Sequence, residues 1–185
     1  MTRRYYQMGD MVKEGTTFLY KRSHRLVQLN SGHLLNDFIG PLICELDEEY
    51  IDGRMRTFYH SPGFIATTAF YNDLMELGID CIQTFPVIIN DEVNNREITD
   101  YLLLNVIGCV SCADMSKSEY KMIGDSLKDN MNIIDKLVID SNKAGDLDLF
   151  LISEDTSCIV ISERVYKHLS SKGYPDVWFE ELEQV

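Results

Sequence analysis

Apolar and polar positions alternate irregularly over the first sixty residues and then settle into a phrase that is written twice. The first copy, FIATTAFYNDLMELGIDCIQTFP (64–86), and the second, IVISERVYKHLSSKGYPDVWFEE (159–181), lie 95 positions apart without a gap. In each, a short β-branched run meets Thr67 or Ser162, whose hydroxyls can cap the free N–H groups of a helix start. A helical stretch follows, and Gly78 or Gly173 supplies the left-handed residue that ends it. Phe70, Leu74 and Leu77 recur at spacings of four and three, which places them on one helical face; Val165 and Leu169 repeat the pattern. Tyr71/Tyr166, Leu74/Leu169 and Gly78/Gly173 are identical pairs. The spacing therefore predicts two matched strand–helix–strand units, by duplication or by chance. Their strands are parallel if they are neighbours, but the short connections leave pairing with other strands equally open.

Between the copies the chain is sheet-like. YLLLNVIGCVSCAD (101–114) is the most apolar segment, too short for a bilayer and suited to one central strand covered on both faces. PVIIN (86–90), IIDKLVID (133–140) and FLI (150–152) read as further strands. DEVNNRE (91–97) and SNKAGDLD (141–148) read as polar turns, and 116–132 as a short helix or an ordered loop. Before the first copy, LICEL (42–46) is a strand with the acidic exit DEEYIDG (47–53). Arg3–Tyr6, Phe18–Tyr20 and Leu26–Leu29 are each a short strand or part of an irregular face. The fold class expected is α+β (or α/β), a central mixed sheet with two short helices. We expect one domain over 1–185, with an irregular part at 1–60 and the repeat-bearing part at 61–185.

Charge changes the picture most. The net charge is −13, yet the first sixty residues carry eight basic and eight acidic side chains, so the whole excess falls on 61–185. Such a surface repels nucleic acid and attracts a basic protein, although acidity also serves solubility alone. The chain has no run of eighteen apolar residues, and MTRRYYQMGD lacks the apolar core of a secretory signal, so we expect no membrane span and a cytosolic location.

Chemistry is sparse. Five cysteines without a secretory context argue against a disulfide framework. Cys109-Val-Ser-Cys112 could be a redox dithiol or half of a metal site, but no second pair or histidine couple completes it. A buried structural role is the simpler reading. The acidic groups Asp146/Asp148 and Asp47/Glu48/Glu49 lack the alternating oxygens of a calcium loop and read as solvated turns. No nucleophile elbow, phosphate-cradling loop or zinc-protease motif is present, so nothing supports an enzyme or a cofactor.

Several segments together carry a family likeness: TFPVII (84–89), 101–114 with Ser116 two residues on, LVID (137–140), Phe150 and VISERVYKHLSSKGYPDVWFEEL (160–182). In these the chain resembles a bacterial immunity-protein family found beside polymorphic and contact-dependent toxins, formerly a domain of unknown function. Where such families commonly place a glycine before the last aromatic strand, this chain has Asp176. The resemblance carries no catalytic residues. It implies a cytosolic binder that holds a cognate toxin inactive. Charge adds that the toxin is basic, for instance a nuclease whose cleft an acidic protein occludes. The anchor-and-acid clusters expected to touch it are Asp47, Glu48, Glu49 and Tyr50; Asp91 and Glu92; and Trp178, Glu180 and Glu181, although Trp178, on a predicted strand, reads more readily as core. The other readings are a thiol centre at Cys109/Cys112 and an acidic adaptor or nucleic-acid mimic. Oligomeric state stays open.

Overall fold

The computed structural model describes residues 3–21, 29–37, 40–47, 53–123 and 131–185. It is a mixed α+β fold, mostly strands in curled mixed sheets with three short helices among the described residues. The chain enters through β1 (Tyr5–Asp10), β2 (Leu19–Lys21), β3 (Leu42–Leu46) and β4 (Phe58–Tyr59). The first repeat follows as β5 (Ile65–Thr67), α1 (Thr68–Met75) and β6 (Ile82–Asp91). β7 (Arg96–Val106), β8 (Cys109–Val110), β9 (Glu119–Ile123), β10 (Met131–Lys136) and β11 (Val138–Ile139) lead to α2 (Ser141–Ala144) and β12 (Leu149–Ile152). The second repeat is β13 (Asp155–Ser162), α3 (Glu163–Lys172) and β14 (Val177–Glu181), closed by β15 (Glu183–Gln184).

A six-stranded sheet runs β2-β3-β6-β7-β5-β4 and a five-stranded sheet runs β14-β1-β13-β12-β8. The repeats take the same place in each. β5 and β6 are parallel to one another but separated by β7, which is antiparallel to both. β13 and β14 are separated in the same way by β1. Each unit is thus a strand–helix–strand crossover split by one inserted strand, so its two strands pair with a third and not with each other. The local chemistry matches too. Thr67 Oγ1 accepts the Phe70 N–H at 3.2 Å, Ser162 Oγ accepts that of Val165 at 3.5 Å, and Gly78 and Gly173 sit at φ 69° and 73°.

The units bury a shared core. Phe70 and Leu74 of α1 and Val165 and Leu169 of α3 pack with Phe58, Phe64 and Leu104 of the six-stranded side and Tyr6, Met8 and Ile161 of the five-stranded sheet. The opposite face of the five-stranded sheet buries Tyr5, Phe150 and Val160 under Ile134, Leu137 and Ile139. The far face of the six-stranded sheet buries Leu42, Cys44, Tyr59, Ile89 and Tyr101. Polar ties cross between the sheets: buried Arg56 pairs with Asp10, and buried Asp176 accepts from the N–H and hydroxyl of Thr57. Asp176 stands where the resembling family commonly has glycine, and here it clamps the start of β14 to the residue before β4.

Four expectations change, the first being IIDKLVID (133–140), which is divided between β10 and β11 in separate two-stranded sheets. The apolar run 101–114 is two strands, because Gly108 at φ 112° turns the chain from β7 in one sheet to β8 in the other. The stretch from 116 holds β9, whose five residues are all exposed, and the polar turn 141–148 contains the one-turn helix α2, capped by Asp140. Residues 26–28 of the expected strand at 26–29 lie outside the described residues, as do 48–52 of the acidic exit, and Leu29 stands in a turn.

Candidate interaction surface

Parallel pairing of β3 with β6 sets Leu42 beside Val87 and Glu45 beside Asn90. The two strands therefore finish together, and Asp47 follows β3 at the same end of the sheet where Asp91 closes β6. On the other side of β3, Tyr20 of β2 pairs with Glu45, and its hydroxyl donates to Asp47 Oδ2 at 2.6 Å. Tyr20 is 57 % exposed. Acidic side chains and an exposed aromatic so gather at one edge, although the three segments are far apart in sequence.

Asp91 itself faces inward. Its carboxylate is fully buried and accepts the Asn94 N–H at 3.1 Å, the Asn94 amide at 2.9 and 3.0 Å, and Arg96 Nε at 2.6 Å. Burial pushes its carboxyl up, but the bonds from Asn94 and Arg96 outweigh that and hold it below the usual carboxylate range. This staple, with Asn95 in the left-handed region, makes a firm β6–β7 turn that presents Glu92 and Val93 outward. Val93 is 63 % exposed. Asp91 shapes the turn; Glu92 and Tyr20 are the groups that face solvent there.

Trp178, Glu180 and Glu181 lie elsewhere, on β14 at the margin of the five-stranded sheet. Strand alternation puts Trp178 and Glu180 on one face and Glu181 on the other. Trp178 is half-buried because its indole lies over Gly9 of β1, where a Cβ would sit 2.7 Å from the ring. Glu181 accepts from the Tyr6 hydroxyl at 3.3 Å and pairs with Arg4 at 3.6 Å. The structure thus joins Asp47 with Asp91 and Glu92 and keeps the Trp178 group apart. Glu48, Glu49 and Tyr50 lie outside the described residues. Tyr20 was missed by sequence reasoning; its place opposite Glu45 depends on strand pairing that no local pattern announces.

The two cysteines do not converge. Cys112 is buried in the core beneath the five-stranded sheet, while Cys109 packs against the core between the sheets and on Gly32. Burial raises both thiols, that of Cys112 to about 12, which suppresses the reactive thiolate. Asp73, Glu76 and His168 form the one metal-like trio among the described residues, but the Lys172 ammonium already sits 2.7 and 2.9 Å from the two carboxylates. That group ties α1 to α3 as an ion pair.

No helix among the described residues is long and apolar enough to cross a membrane. Residues 51–184 match the model of a family described as Immunity protein family (Imm11). No curated protein matches the chain.

Proposed function

The chain belongs to the Imm11 immunity protein family, and on that premise we propose that it neutralises its cognate toxin by stoichiometric binding through the acidic end of the six-stranded sheet. The observation that carries this is the β3–β6 register, which brings Asp47 beside the stapled Asp91–Glu92 turn, with Tyr20 exposed on the outer side of β3 and bonded to Asp47. Acidic side chains around an exposed aromatic suit a basic partner: charge speeds encounter, and the aromatic supplies the anchor that sets affinity. The excess of thirteen negative charges extends the attraction beyond contact distance. A toxin with a cationic, nucleic-acid-binding cleft fits this chemistry, and occlusion of that cleft stops it without any bond being made or broken. The protein acts here as a binder and not a catalyst. The separated, protonated thiols of Cys109 and Cys112 speak against the redox reading.

The test is binding to the toxin encoded beside this chain. Asp47→Lys together with Glu92→Lys should slow association about 10-fold or more, and Tyr20→Ala should speed dissociation, while Glu119→Lys on β9 together with Glu183→Lys on β15 makes the same change in net charge and controls for it alone. Equal losses for all three, or a toxin that carries no basic surface, would remove the proposal.

A further inference from the structure

The seam between the two sheets holds a second feature. Where the α1–β6 loop, the β7–β8 turn and the α2–β12 loop meet, they enclose a cavity of about 270 Å³. Its apolar lining includes buried Ile79, half-buried Cys81 and Ile107, and exposed Leu147. Gly78 and Gly108, both at positive φ, form part of the wall and leave open space where side chains would stand. Such a volume is below that of drug-sized ligand sites and matches a single long side chain.

The rim is acidic. Asp146 is fully exposed; its carboxylate lies 3.7 Å from Arg3 Nη1, which also donates to the Asp146 carbonyl at 2.6 Å, and Asp80 has no ion pair among the described residues. Asp148, the third carboxylate, is engaged by Arg3, Arg164 and Ser162. Three carboxylates thus face two guanidiniums, leaving Asp80 to answer an incoming cation. An apolar channel with an anionic mouth is complementary to an aliphatic stem that ends in a positive head.

We propose that this seam cavity is the seat of one arginine side chain displayed by a partner protein. The stem lies on Ile107 and Leu147, and the guanidinium meets Asp80 and Asp146. Arginine is the basic residue most often found as a buried interface anchor, and the planar fork suits two carboxylates. The cavity adjoins the start of β6, whereas the acidic end adjoins its finish. Ten residues at strand rise separate them by roughly 30 Å, so the seat is a distinct contact and goes beyond the function proposed above.

An amide-resolved NMR titration with the tripeptide Gly-Arg-Gly, blocked at both ends, tests it. Saturable shifts should appear at Ile79, Asp80, Gly108 and Leu147, and weaken about 10-fold or more in the Asp80→Asn/Asp146→Asn protein. Both replaced carboxylates are exposed, so the variant keeps its fold, as its unperturbed core amides will show. The citrulline peptide, equal in shape but uncharged, should not bind. Free arginine, whose own carboxylate meets the acidic rim, should bind more weakly than the peptide. Shifts that are absent, scattered over the acidic surface, unaffected by the double substitution or reproduced by citrulline overturn the seat. Tighter binding of free arginine overturns its assignment to a protein-borne side chain.

Discussion

Ser162 and Thr67 occupy equivalent caps, but their surroundings differ. Thr67 holds one backbone N–H, whereas Ser162 is fully buried, holds the Val165 N–H and also donates to Asp148 at 2.5 Å. Thr67→Ala should cost about 1 kcal/mol, the usual worth of a cap. Ser162→Ala should cost about 2 kcal/mol, because it also strips a partner from a part-buried carboxylate. Urea denaturation of both variants checks the order. Asp91 gives a pH signature. Its carboxyl titrates below its unfolded value of about 3.9, so its contribution is complete above that pH and is lost as pH falls through the folded value. Asp91→Asn should therefore lower stability at pH 7 and flatten the loss between pH 5 and pH 2; an unchanged acid slope would refute the staple. The caps were legible in the sequence because capping is local. The burial of Asp91 and the seat of Trp178 on Gly9 were not, since each depends on what a turn or a neighbouring strand brings alongside.

At the scale of elements, the twofold repetition was readable from residues three and four apart and from the closing glycines. The inserted strands were not, because nothing in 64–86 names β7 and nothing in 159–181 names β1. The apolar run 101–114 shows the same limit. Hydrophobic continuity predicts one strand, and a single glycine at φ 112° divides it between two sheets. A Cβ at Gly108 would touch nothing within 4 Å, so the cost of Gly108→Ala is conformational alone. It should destabilise by about 1–2 kcal/mol, measured by thermal unfolding. A neutral result would mean the turn relaxes without loss. Likewise, 116–132 offered no strand pattern, because β9 buries neither face and so lacks the alternation that betrays half-buried strands.

Across the whole molecule, charge and topology act at different ranges. The negative field is a long-range property and needs no particular contact. Association with the toxin should slow by about 10-fold between 0.05 and 0.5 M salt as screening shortens its reach, while dissociation changes far less. A stopped-flow series in which both rates move together would mean that the charges are desolvated at the centre of the contact and do not act from its rim. The family likeness could be read from the chain because its apolar words are contiguous, and the matched residues 51–184 include both repeats. The acidic end could not be read in full, because it is assembled from β2, β3 and the β6–β7 turn, and two of those three precede the matched region.

The position of β1 has a consequence for timing. Tyr5–Asp10 pairs on one side with β13 and on the other with β14, partners more than 150 residues downstream. A nascent chain therefore carries Tyr6 and Met8 uncovered until residues 159–181 have emerged, and pairing of such high sequence separation is slow. A product cut short before residue 177 has one partner strand for β1 instead of two, and its central core stays open on that side. Protection would then follow the number of chains finished, not the number begun, so translation speed becomes part of how promptly a cell is guarded.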